Sequence, residues 1–236
     1  MITISENNSL PTNGRVDGDD LPPPEPARLS RLQIEMFARK ACERLNFDFC
    51  KDDDLDEIVD HLGGRIIPVE REDKTSESGP TGGQSSGLSY IIVGQGDKKF
   101  EIGLDRDLEP AQRRFDTAHE LGHYLLHYPI VKESGHNTMK AQGVGLGRAD
   151  WEAQWFALSF LLPVDRFIRE CHTLKLDLDS LSDDTKTPTL DEALVSLSNI
   201  FKIEVFYVKA RLKEIRKWPG LRTAIPGVEP AIGASA

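Results

Sequence analysis

Paired cysteines are missing from this 236-residue chain. Its three cysteines, Cys42, Cys50 and Cys171, are odd in number and show no CxxC spacing, which excludes a disulfide framework and suits a reducing compartment. Long apolar runs are missing too: FALSFLLPV is among the longest, far short of the roughly 20 residues a membrane helix needs. The opening MITISENNSLPTNGRVDGDDLPPPEPAR lacks the basic start and apolar block of an export signal, so a cytoplasmic protein is expected. Basic charge is in deficit, with 29 Lys and Arg against 39 Asp and Glu and a net charge of -10. That balance disfavours general binding to nucleic acid or anionic membrane. Phosphate and calcium loops fail as well. Gly143, Gly145 and Gly147 are followed by no Lys with Ser or Thr, and CKDDDLDEIVDHL lacks the glycine and closing glutamate of an EF-hand. Hydrophobic content of 39% with 29% charged residues is ordinary for a globular protein with a real core.

What is present is HELGH, at His119, Glu120 and His123, inside RRFDTAHELGHYLLH. Pro110 and Glu109 suit a helix start. Phe115, Ala118, Leu121, Leu125 and Leu126 then recur three or four apart, which predicts a helix with one buried stripe. Histidines at i and i+4 lie one above the other on such a helix and can share one metal ion, with the intervening glutamate placed to take a proton from a metal-held water. Gly122, inside the helix at a cost of about 1 kcal/mol against alanine, implies close approach of another backbone. The expected neighbour is the strand KFEIGLD, and residues 99–104 are expected to border the cleft and pair with an extended substrate.

A catalytic zinc ordinarily has three protein ligands and one open position. The candidates for the third are His127, His136, Asp150, Glu152 and His172. His127 lies eight residues past His119, roughly 12 Å along the axis, and reads as a packing or hydrogen-bonding residue below the site. Asp150 reads as the N-cap of the next helix. Glu152 is the better candidate, because ADWEAQWFALSFLLP forms a second helix able to present a carboxylate from the side the histidines leave free. For an oxyanion donor, His136, Tyr90 and Tyr128 all stay open.

The two blocks FDTAHELGHYLLH and WEAQWFALSFLLP together resemble the ImmA/IrrE metallopeptidases, whose pattern is a TxAHELGH helix followed by an E-A-(N/D)-x-F-A-x-x-L-L-x-P helix. The similarity spans roughly residues 50–165, and Gln154 departs from it, where the family has Asn or Asp. The resemblance implies a zincin-like fold, His119, His123 and Glu152 as zinc ligands, and Glu120 as catalytic acid/base. It also implies a protein substrate such as a helix-turn-helix repressor of mobile elements or stress regulons. The alternative is a non-catalytic metal-containing interaction or regulatory module, contacting DNA through its C-terminal helices. Glu120 separates the two, since a module that only binds metal has no use for an acid there. Zinc suits His and carboxylate ligands best, though other divalent metals fit.

The predicted organisation is α+β. A proline-bearing tail at 1–28 is expected to be disordered, followed by a metallopeptidase domain at 29–172. Within it, a helix from Leu29 to about Leu45 packs through Leu32, Phe37 and Ala41, and a second helix covers about 54–62. GGRIIPVE, GLSYIIVG and KFEIGLD give a sheet of about three strands, the last two joined as a hairpin. YPIVKESGHNTMKAQGVGLGRA reads as an aperiodic loop. Residues 173–218 are expected to form a helical subdomain, two helices about a tight turn like a helix-turn-helix, with 219–236 a tail. Phe201 to Arg222 hold seven Lys or Arg against two Glu, but macrodipole preference explains basic residues in a last helical turn. Direct contact with nucleic acid is therefore not expected.

Overall fold

Ser30 begins the first helix, α1 (Arg31–Leu45), through a capping box in which its side chain accepts from the Gln33 amide and Gln33 reaches back to the Ser30 amide. Asn46, left-handed at φ 50°, ends it. The computed structural model describes residues 21–47, 55–70, 89–142, 147–178, 188–218 and 220; of the tails expected at 1–28 and 219–236, residues 1–20, 219 and 221–236 lie outside them. The buried face of α1 is Ile34, Glu35, Ala38 and Ala41, and Phe37 is a correction to the expected face. It is 36% exposed and meets Phe156 edge-on at 6.2 Å, a ring that flanks the stripe instead of forming it.

Next come α2 (Asp56–His61), β1 (Gly64–Val69), β2 (Tyr90–Val93) and β3 (Phe100–Asp105). The β2–β3 turn uses Gly94 and Gly96 at φ +77° and +78°, conformations that favour glycine. Then α3 (Pro110–Gly122) runs through a π-helical turn, His123–His127, into α4 (Tyr128–Glu133), followed by β4 (Met139–Gln142). The helices α5 (Arg148–Leu161), α6 (Val164–Thr173), α7 (Pro188–Phe201) and α8 (Val205–Lys217) complete the described chain. Pro129 explains the π turn. It has no N–H to give Leu125 and its ring would clash with that carbonyl, so the ladder widens and Tyr128 donates to His123 five residues back.

The sheet is mixed, in the order β1-β3-β2-β4. β1 runs parallel to β3, and β2 is antiparallel to both β3 and β4. Two expectations are corrected here. The fourth strand lies in the segment read as a loop, because MKAQ is too short for alternation to show and is recruited by pairing with β2, from Tyr90↔Gln142 to Val93↔Met139. Also, the strand expected to pair with substrate is β3, whose two edges are both taken inside the sheet. The sheet's edge on that side is β4, where the Lys140 amide already donates to Pro22 at 3.0 Å.

Helix α3 is wedged between the sheet and α5, which is why ten of its thirteen residues are buried instead of one stripe. The close approach implied by Gly122 is to α5, not to β3. A Cβ there would stand 3.0 Å from Ala153 Cα and 3.1 Å from its carbonyl oxygen. Gly122→Ala should therefore gain about 1 kcal/mol of helix propensity and lose more to overpacking, which costs about 1–3 kcal/mol. A thermal melt that rises in this variant would refute the account.

The C-terminal helices join the same core. Tyr207 on α8 stacks on Phe115 of α3 at 3.6 Å between ring centroids, and Gln112 donates to its hydroxyl. Of the seven basic residues between Phe201 and Arg222, Arg211 is fully buried and paired with Glu35 and Glu214, so the stretch is less basic outside than its letters suggest.

Candidate metal centre

On α3, one turn apart, the His119 and His123 rings present their Nε2 atoms to each other at 3.2 Å. Asp150 Oδ1 lies 3.5 Å from His123 Nε2. Among the described residues, His119, His123 and Asp150 form a group whose ligand atoms all lie within 4.8 Å of one another. Ligands about 2.0–2.1 Å from a tetrahedral zinc stand roughly 3.3–3.5 Å apart, so the donor set fits such an ion. The chemistry of the rings agrees. Burial, then the neighbouring His123, hold His119 down to about 3 despite Asp150; burial and His123 do the same to His127. Neutral imidazole is the form that offers a lone pair to metal.

Glu120 is 1% exposed, and neither carboxylate oxygen has a hydrogen-bond partner. Burial pushes its carboxyl well above the usual range; the nearby Ser89 hydroxyl weighs the other way, and Asp116 and Asp150 add to the rise. A buried acid with a raised proton affinity beside two converging imidazoles is the kind of group found at functional sites.

Asp150, not Glu152, is the acid the structure brings to the pair. Helix α5 starts at Arg148 with Gly147 as N-cap, so Asp150 sits within the first turn and is not the cap. Residues two apart point to opposite sides of a helix, so only one of the two acids can face the histidines. Glu152, fully buried, instead accepts from the amides of Ala27 and Leu29, both at 2.8 Å, from Arg148 Nε at 3.1 Å, and meets His127 Nε2 at 3.2 Å. Residues 21–28, expected in the tail, are thus tied to α5 through Ala27 and to β4 through Pro22. His127 takes the hydrogen-bonding place below the site, its Nδ1 3.1 Å from His123 Nδ1.

Of the oxyanion candidates, Tyr128 donates to the Asn137 carbonyl, His136 is exposed, and Tyr90 is half-buried beside Glu101. His172 sits exposed in the last turn of α6. Among the described residues, burial and Glu35 push the Cys42 thiol up to about 12 and Cys171 is buried, which gives neither a reactive character; Cys50 lies outside them.

With this geometry in hand, comparison with known proteins decides the family. The profile of Peptidase_M78, the IrrE N-terminal-like domain, matches residues 82–212, more than half of the chain. The chain belongs to the M78 peptidase family. No curated protein matches it. A solved structure, a Mycobacterium tuberculosis transcriptional regulator, is similar at 19% identity and a TM-score of 0.42, covering 75% of this chain and 45% of that one. This M78 chain therefore spans less than half of that protein's length. The M78 match runs through both motif helices and into α8, in accord with the packing of Tyr207 on α3.

Beside the M78 centre, Asp116 carries a pH-dependent load. Its carboxyl is pushed up to about 7, first by burial, against a hydrogen bond from Gln112, with Glu204 and Asp105 adding. A folded value above the unfolded 3.8 means that the stabilising contribution is full below the unfolded value and is lost as pH rises through about 7. In metal-free protein, Asp116→Asn should gain about 1–4 kcal/mol on the parent near pH 8 and little near pH 4. Parallel pH-stability curves from urea unfolding would refute this.

Proposed function

We propose that the chain is a cytoplasmic zinc-dependent metallo-endopeptidase that cuts a protein partner. His119, His123 and Asp150 would hold the ion, and Glu120 would be the catalytic acid/base. One observation carries the reading: two Nε2 atoms and a carboxylate oxygen converge next to a buried glutamate with both oxygens unpartnered. When bound, a divalent ion supplies Lewis acidity and an ionisable water, whose pKa can fall toward about 7. Glu120 takes the proton of the attacking water and returns it to the leaving amine. The dry surroundings of Glu120 raise its proton affinity. Asp150, with 18% of its side chain exposed, is the open side of a centre whose histidines are covered, so substrate would approach there.

The family supports a peptidase, and the resemblance of both motif helices to ImmA/IrrE enzymes supports a helix-turn-helix repressor as the partner. The test is to incubate zinc-loaded protein with candidate repressors encoded nearby and read fragments by mass spectrometry, beside Asp150→Ala. The parent should cut and the variant should lose both zinc and cutting. Full zinc content and parental cleavage in Asp150→Ala would remove Asp150 from the site.

A further inference from the structure

Glu152 and His127 lie beyond the proposed ligands, yet they are fully buried and connected to them. We propose that they form a positioning relay, Glu152 to His127 to His123, that keeps the proton of His123 on Nδ1 and leaves its Nε2 lone pair for the metal. The proposal rests on the zinc reading above.

The chain of donors and acceptors runs in one direction. An ionised carboxylate offers about four acceptor sites. Glu152 Oε2 receives the Ala27 amide and faces His127 Nε2, while Oε1 receives the Leu29 amide and Arg148 Nε. The Ala27 and Leu29 amides and the Arg148 guanidinium cannot accept, so the carboxylate works as an acceptor and His127 Nε2 carries the proton between them. Neutral His127 then has its lone pair on Nδ1, which faces His123 Nδ1 at 3.1 Å. Two nitrogens at that distance share one proton, and His123 must supply it. Its Nε2 is left bare, and that atom points to His119 Nε2 at 3.2 Å and Asp150 Oδ1 at 3.5 Å.

The opposite tautomer of His123 would put a proton where the ion must sit and leave two lone pairs opposed across 3.1 Å. Glu152, with all its acceptor sites used, has none left for a metal. The π turn carries both rings, tilted at 56° with 5.1 Å between centroids. His119 has no such support, because its Nδ1 is buried without a partner. The preorganisation is thus built for one of the two histidines. Partners that orient a ligating histidine in this way are worth about 10–100-fold in metal affinity.

The experiment measures zinc affinity by chelator competition for the full chain, His127→Phe, His127→Gln and Asp150→Ala. Phenylalanine fills the space without relaying. Glutamine can donate its amide N–H to Glu152 and accept from His123 Nδ1–H through its oxygen. The expected result is a zinc affinity about 10–100-fold weaker in the Phe variant, largely restored in the Gln variant, with the same circular dichroism in both. A merely structural role would lower the melting temperature and leave zinc affinity unmoved.

Nitrogen-15 spectra of the metal-free parent supply a readout that needs no variant: His123 should show the Nδ1–H form. Parental zinc affinity in His127→Phe, or a predominant Nε2–H form of His123, overturns the relay. If Asp150→Ala weakens zinc while His127→Phe does not, the relay alone fails. If neither does, the metal centre fails with it.

Discussion

Glu120→Gln is expected to lower peptide hydrolysis by about 10²–10⁴-fold while zinc content stays at the parental level. Glutamine keeps the shape of the side chain and removes its ability to take a proton. Glu120 does not belong to the converging donor group of His119, His123 and Asp150, so the ion should lose no ligand. The same substitution should not destabilise the metal-free fold. Both Glu120 oxygens are buried without partners, and a buried carboxylate in that state costs free energy that a neutral amide largely avoids. A variant that melts at or above the parental temperature, binds zinc and fails to cut would show that Glu120 is kept for chemistry at a cost in stability. Cleavage at the parental rate would exclude Glu120 as the base. Loss of zinc would instead place it among the ligands.

Helix α3 was the most legible part of the chain, because a HExxH pattern on a 3.6-residue period places two imidazoles together whatever the rest of the fold does. The α+β class, the β2–β3 hairpin and the helical C-terminal part followed from alternation and turn residues. The acid that lies beside the two histidines was not legible in the same way. Asp150 and Glu152 both open α5, and choosing between them depends on where the helix begins, a boundary set by Gly147 in its extended conformation. A start at Gly147 puts Asp150 one turn in and turns it away from capping. The site that Glu152 does occupy depends on residues 27 and 29, more than 120 positions away in sequence, and no local pattern reports such a contact. Gly122 signalled a close neighbour correctly, but a glycine does not name its partner. Strand β4 escaped notice because four residues recruited by a neighbour carry too little periodicity to read.

Arg211→Ala is expected to destabilise the protein by about 3–5 kcal/mol, the cost of breaking a buried ion pair from one side. The arginine is fully buried. Its Nη2 donates to both oxygens of Glu35 at 2.7 and 2.6 Å, Nη1 to Glu214 at 3.2 Å, and Nε to the Leu162 carbonyl at 2.9 Å. Glu35 in turn accepts from the Val164 amide at 3.1 Å. One guanidinium therefore ties α1 and α8 to the junction of α5 and α6. Without it, Glu35 keeps a single donor for a charge that is 3% exposed, and the Leu162 carbonyl loses its side-chain donor. At about 2–4 °C per kcal/mol for a chain of this size, the melting temperature should fall by roughly 6–20 °C. The triple variant Glu35→Leu, Arg211→Met and Glu214→Met should recover most of that loss, because replacing all three charges with apolar groups of similar volume leaves no uncompensated ion. Urea unfolding of the single and triple variants distinguishes the outcomes; a triple variant as unstable as Arg211→Ala would mean that the carbonyl and amide contacts at the α5–α6 junction carry the stability. The junction matters to the proposed chemistry, because α5 carries Asp150 at its far end and is clamped here at the other. Loosening it should weaken zinc binding in Arg211→Ala even at temperatures where the fold persists.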